Sequence, residues 1–175
     1  MSTLEKPYHH GDLRSALIEA AETLLDAGGE VSLREAARMA GVTPTAAYRH
    51  FADKDALLAE LAVRGFSEFG RALGEAAARA PGQALVALGR AYIRFALARP
   101  GRFRLMFGPM LARLTPRHPE LHEASGRAFE ALQGAAGSRD EALRNWGMVH
   151  GLAHLLLDGA VAEEDREALI DRLIC

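Results

Sequence analysis

The chain has 175 residues, of which 49% are hydrophobic and 25% charged, enough to bury a sizeable core and too apolar for a disordered chain. Its formal net charge is −2, and the first 55 residues, with six Lys or Arg against nine Asp or Glu, carry −3. A basic field is thereby excluded, so any polyanion partner has to be gripped by a few placed groups.

Apolar residues recur at helical spacing along nearly the whole chain and no segment keeps strand alternation, so an all-α fold is expected. The first helix starts near Asp12, carries Leu13, Leu17, Ala20, Ala21, Leu24 and Leu25 on one stripe, and stops at Gly28-Gly29. "SLRE" then pairs Ser32 with Glu35 as a capping box for a second helix, Leu33 to Ala40, ended by Gly41. Thr43 caps a third helix whose first position is Pro44, where a missing N–H costs nothing, and which ends before Asp53. A helix of barely two turns is marginal alone and must be held by its neighbours. Its exposed face carries Thr45, Tyr48, Arg49 and His50, all able to hydrogen-bond. Two helices joined by a tight turn at Gly41-Val42 have helix-turn-helix spacing, with Ala36, Ala37, Val42 and Ala47 small enough for close packing.

Asp53 can cap a long fourth helix, whose stripe of Leu57, Leu58, Leu61, Ala62, Phe66, Phe69 and Leu73 runs to about Ala80 before Pro81-Gly82 breaks it. A fifth helix reaches Pro100-Gly101, and a short piece follows with Phe103, Met106, Phe107 and Met110 at i, i+3, i+4 and i+7. After Pro116 and Pro119 one helix extends to about Ala136. A second capping box, Ser138 with Glu141, opens a helix to Asp158, and the last begins near Glu163. On the Ser138 helix, Leu143, Trp146, His150, His154 and Leu157 share one face and Met148, Leu152, Leu155 and Leu156 another, so both faces need covering. Gly147 and Gly151 on the same helix each cost about 0.8–1.0 kcal/mol against Ala and permit close approach by another helix. Leu169, Ile170, Leu173 and Ile174 form a further stripe expected to meet a partner.

No apolar run approaches the roughly 18 residues of a membrane span, and "MSTLEKPYHHGD" lacks the apolar core of a secretory signal. A cytoplasmic chain with no membrane partner is expected. The single Cys175 excludes an internal disulfide. His118 with His122, and His150 with His154, have a spacing that can ligate zinc, and Asp158 stands four residues after His154. They keep open a metal-dependent sensor or hydrolase. With no HExxH, nucleophile elbow or phosphate loop, however, no catalysis, metal or cofactor is expected. A helical interaction protein is the other alternative, supported by the acidic first 55 residues.

Residues 8 to 58, "YHHGDLRSALIEAAETLLDAGGEVSLREAARMAGVTPTAAYRHFADKDALL", closely resemble the N-terminal domain of TetR-type transcriptional regulators. "WGMVHG", residues 146 to 151, looks like the signature of a branch named for its Trp, His and Gly. The resemblance implies a helix-turn-helix DNA-binding domain over 1–58 and a helical ligand-binding and dimerisation domain over 59–175. By the same resemblance Thr45, Ala46 and Arg49 lie toward base edges, Thr43, Tyr48, His50 and Lys54 hold phosphates, and Arg34 joins the DNA-binding set. The chemistry agrees: Thr and Tyr hydroxyls donate to phosphate oxygens, and Arg49 can bind a guanine bidentately. Lys54 opens a helix, where free N–H groups already favour an anion. Only two of the 21 basic residues are Lys, Lys6 and Lys54, which singles out position 54 further. In the second domain Phe103, Phe107, Met110, Trp146, His150 and His154 are the candidates for contact with a small apolar ligand. The implied partners are double-stranded operator DNA, a second copy of the chain joined in a four-helix bundle, and an unidentified small molecule. The implied activity is that of a repressor released from its operator by that molecule.

Overall fold

The computed structural model describes residues 13–161 and 165–175, so the expected starts near Asp12 and Glu163 lie outside the described residues. No strand occurs among the described residues. The chain divides into two compact units, Met1–Leu61 and Ala62–Cys175.

The first unit holds α1 (Leu13–Asp26), α2 (Leu33–Met39), α3 (Pro44–Tyr48) and the beginning of α4 (Lys54–Arg79). Each of the last three starts on a side-chain cap. Ser32 Oγ accepts from the Glu35 N–H at 3.2 Å, Thr43 Oγ1 from Ala46 at 3.3 Å, and Asp53 Oδ1 from Ala56 at 2.8 Å. Gly41 turns the chain between α2 and α3 at φ +70°, a conformation side chains disfavour. Ala36, Ala37 and Ala47 are fully buried with Leu17, Ile18 and Ala21, so three short helices approach closely. α3 is shorter than the expected two turns. After Tyr48 the last turn tightens, and the N–H groups of His50 and Phe51 both donate to Ala47 O, at 3.0 and 3.1 Å. Buried Phe51 anchors that exit, beneath the Arg14 guanidinium 4.9 Å from its ring centre.

The second unit comprises the rest of α4 with α5 (Ala84–Ala98), α6 (Pro100–Phe107), α7 (Pro109–Leu114), a 3₁₀ turn (Thr115–Arg117), α8 (Pro119–Ala136), α9 (Arg139–Leu157) and α10 (Arg166–Leu173). α5 packs along α9, and their core gathers Tyr92, Ile93, Phe103, Met106, Ala153 and Leu156. At Gly65 a Cβ would fall 2.6 Å from Met106 Sδ, so α4 and α6 approach only where residue 65 lacks a side chain. Arg102 of α6, one-tenth exposed, adds an ion pair to Glu68 of α4 at 2.5 Å.

Three expectations change. The Phe103–Met110 stripe is split, because Gly108 precedes Pro109 and adopts extended backbone, which ends α6 and puts Met110 on a new helix. Leu169, Ile170 and Ile174 are buried in their own unit's core, leaving Leu173 alone of that stripe exposed. On α9 the inward face is Ala142, Val149, Ala153 and Leu156, so Leu156 parts from Met148 and Leu155, which point outward.

Candidate functional site

Two groups of side chains stand out, one in each unit. In the first, α3 and its flanks present Thr45, Tyr48, Arg49 and His50 to solvent, with Arg34 exposed on α2 and Ala46 half-buried. The unit's described residues include five Lys or Arg. Arg14 pairs with Glu60 at 2.7 Å, Arg38 with Glu35 at 2.5 Å and Lys54 Nζ with Glu30 Oε1 at 3.0 Å. The Arg38 guanidinium also holds the Glu35 carboxyl below the usual carboxylate range. Arg34 and Arg49 are the two left without an ion pair among the described residues. Thr43 accepts a backbone N–H with its oxygen, which leaves its O–H proton for an outside acceptor. Short helices locked by caps thus carry unspent donors outward, while the remaining three cations each face a carboxylate.

In the second unit a cavity of about 340 Å³ is lined by α4, α5, α8 and α9 with Phe107, Leu111, Ile174 and Cys175. Six aromatic rings contribute to its wall: Phe66, Phe69, Tyr92, Phe107, Phe129 and Trp146. Phe107 sits edge-on to Phe66 and Phe69, with centroids 5.5 and 5.6 Å away, and Phe129 lies 5.8 Å from Trp146. Tyr92 is the hub. Its oxygen accepts from Trp146 Nε1–H at 3.0 Å and stands 2.9 Å from His150 Nδ1. An indole N–H can only donate; giving the phenol's own proton to His150 Nδ1, with the imidazole as the neutral Nε2–H tautomer, is the assignment that satisfies both groups. Burial, reinforced by His154, pushes the His150 pKa down, and burial pushes the Tyr92 phenol up despite the Trp146 hydrogen bond. The three polar edges are spent on one another and carry no charge.

Of the side chains expected to meet a ligand, Phe107 and Trp146 line this cavity. Phe103 is fully buried behind it, 5.0 Å from the Phe107 ring, and His150 stands behind Tyr92. His154 packs on Phe103 at 5.3 Å, and Met110 receives Arg113 Nη2 at 3.0 Å on α7. Phe66, Phe69, Tyr92 and Phe129 were not among the expected ligand contacts, Phe66 and Phe69 being read only as part of the α4 stripe. The available signal was the hydroxyl of Tyr92 in an otherwise apolar helix, since a buried phenol needs a partner.

The histidine pairs do not assemble a metal site among the described residues, where no three His, Cys, Asp or Glu side chains converge. His118 lies before α8 and faces Glu120 at 3.2 Å, whereas His122 is on the helix. Asp158 is engaged by Arg104 at 2.8 Å. No helix among the described residues is long and apolar enough to cross a membrane.

Comparison with known proteins finds relatives for both units. A family model described as bacterial regulatory proteins, tetR family, matches residues 17–61, and one described as tetracyclin repressor-like, C-terminal domain, matches residues 85–175. An uncharacterized HTH-type transcriptional regulator of Haemophilus influenzae is 49% identical over 51 residues, 27% of this chain and 25% of that protein, so the match spans a quarter of that relative's length. A solved structure of a protein with unknown function from Rhodococcus sp. RHA1 has a TM-score of 0.78 and 31% identity, covering 97% of this chain and 95% of its own. A bacterial regulatory protein in the tetR family from Rhodococcus RHA1 shares the fold, with a TM-score of 0.66 at 18% identity over 93% of each chain.

Proposed function

The chain belongs to the TetR family of bacterial regulatory proteins, and from that membership we propose that it is a DNA-binding transcriptional regulator, a homodimeric repressor released from its operator by a small ligand. One observation carries the DNA side of this reading. Around a capped three-helix unit of negative net charge, the cations without an ion pair among the described residues are Arg34 and Arg49, beside exposed Thr45, Tyr48 and His50. Arg49, Thr45 and Ala46 read base edges, Arg49 by bidentate contact to guanine. Thr43, Tyr48, His50, Lys54 and Arg34 hold phosphates and set the register. Lys54 exchanges Glu30 for a phosphate when DNA arrives.

The dimer reading rests on where apolar surface remains. Six large hydrophobic side chains are exposed among the described residues; Met39 and Tyr48 are on the helix-turn-helix, and Leu143, Met148, Leu155 and Leu173 are on α9 and α10. A Cβ on Gly147 or Gly151 would meet nothing within 4 Å, so the α9 face between Met148 and Leu155 is open to a second helix. Two-fold pairing there gives the two reading helices that operator half-sites about 34–36 Å apart require. Gly151→Glu should yield monomers with little affinity for operator DNA, read by sedimentation; a monomeric wild type at micromolar concentration would remove the dimer.

Ligand release is supported by α4, a single continuous helix with Lys54 in its first turn and Phe66, Phe69 and Leu73 in the cavity wall. The ligand must bind the DNA-incompetent state more tightly, because equal affinity shifts nothing. Operator DNA must then weaken ligand binding by the same factor. The decisive experiment is selection of genomic fragments by the purified protein. It should enrich a palindromic site with steep salt dependence. Retention of no fragment at low salt would overturn the regulator reading.

A further inference from the structure

We propose that the cavity of the second unit takes a neutral, planar aromatic molecule of roughly eleven to fifteen non-hydrogen atoms, with one hydrogen-bond donor directed to Ser125 and Asn145. This rests on the reading of that cavity as the ligand site. Size comes first. An apolar cavity of about 150 Å³ accommodates benzene, so 340 Å³ holds something over twice as large, the dimensions of two fused rings with a substituent.

Charge comes second. No Asp, Glu, Lys or Arg contributes to the wall, and its one histidine, His122, is exposed to solvent. A carboxylate, phosphate or ammonium buried there would have no counter-ion, and unpaired charge is strongly disfavoured away from water. The strongest polar groups within reach do not offer themselves to a ligand either: the Trp146 N–H is given to Tyr92, and the Tyr92 O–H to His150. What remains toward the interior is ring surface, from six aromatics contributed by five helices. A flat aromatic guest makes edge-to-face and offset contacts with such walls that a saturated ring of equal size cannot.

The polar side chains of the wall besides Tyr92 and Trp146 are His122 and Ser125 on α8, Asn145 on α9, and Cys175. Ser125 Oγ donates its proton to His122 O at 3.1 Å, and Asn145 Nδ2 donates to Glu141 O at 2.8 Å. Both side chains line the cavity and retain acceptor lone pairs, on Ser125 Oγ and Asn145 Oδ1. Ser125 Oγ has given its only proton and Asn145 Oδ1 can only accept, so a guest that brings a donor, such as a phenolic hydroxyl, finds two acceptors there, beside the second N–H of Asn145.

The test is calorimetric titration of the full-length protein with matched probes. 1-Naphthol should bind saturably, one per chain. 1-Naphthoate and naphthylmethyl-trimethylammonium should bind at least about tenfold more weakly, since each brings an unpaired charge. 1-Methoxynaphthalene, without the donor, and decahydro-1-naphthol, without the rings, should each lose about threefold or more. Ala128→Phe, which adds a ring to the wall, should abolish the 1-naphthol titration without lowering the melting temperature. No binding of 1-naphthol, equal or tighter binding of either charged probe, or an unchanged titration in Ala128→Phe would overturn the proposal. The regulatory reading is decided separately, by adding 1-naphthol to the protein on a selected genomic fragment. Binding without any change in DNA retention would leave the ligand class standing and remove the release mechanism.

Discussion

In the first unit the helix starts are fixed by Ser32, Thr43 and Asp53, each bonded to a backbone N–H three residues on. In the second, the groups that shape the cavity meet from far apart in the chain: Tyr92 reaches Trp146 across 54 positions and His150 across 58. The one is a local construction that turns its hydrogen-bonding side chains outward; the other is non-local and spends them inward. The contrast suits the two proposed tasks. Reading DNA demands side chains held at fixed spacing on a firm surface, which caps and small buried alanines supply. Holding an apolar guest demands an enclosed wall, and only helices brought together from distant sequence can close one.

Perturbing each unit at its own kind of contact should separate them. The largest effect belongs to the non-local unit. Phe103→Ala removes a fully buried ring packed against Tyr92, Phe107, His150 and His154, and should cost about 3–5 kcal/mol in urea unfolding. A loss below about 1 kcal/mol would mean that the aromatic cluster is not the packed core described. Next comes Arg49→Ala, which should leave stability nearly unchanged and remove about 1–3 kcal/mol of discrimination at one operator position. An intact base-preference profile would take Arg49 off the list of reading residues.

A smaller change of opposite sign is expected at Glu30, the exposed partner of Lys54. Exposed pairs contribute little to stability, so Glu30→Gln should leave the melting temperature alone. It should tighten binding to all DNA sequences by about two- to fivefold, because Lys54 no longer exchanges one anion for another. Unaltered or weaker binding in a filter assay at constant salt would count against that exchange. The smallest effect is a pH dependence at His150. Its folded pKa is depressed by burial, so as pH falls below about 6.5 the unfolded chain takes up a proton that the folded chain resists. That part of the stability is present above the unfolded pKa and is lost toward acid pH. Thermal melts between pH 7.5 and 5.5 should show a shallow decline that His150→Gln flattens, and an equal decline in the variant would assign it to other groups.

The same division governs what the sequence discloses. Ser32, Gly41, Thr43, Pro44 and Asp53 act on residues within four positions, so the first unit's helices and turn can be read directly, down to the φ of +70° at Gly41. The stripe from Phe103 to Met110 looked continuous because periodicity does not register that Pro109 disfavours helix at Gly108. The α10 stripe was legible as apolar, but no local rule tells whether Leu169, Ile170 and Ile174 turn to their own core or to another chain. The cavity wall was partly legible through Phe107 and Trp146. Tyr92 and Phe129 were hidden because their importance lies in which ring they meet.

Trp146 is the only tryptophan in the chain, and it stands in the cavity wall with its N–H on Tyr92 and the rings of Phe107 and Phe129 beside it. The protein therefore carries one indole fluorophore, seated where the guest is expected. Its emission comes from an indole that donates to a phenol rather than to water, and any molecule entering the cavity changes its polarity or its quenching. The helix-turn-helix contributes no indole signal of its own. Occupancy of the second unit can be followed optically, without a label, while DNA is bound or released.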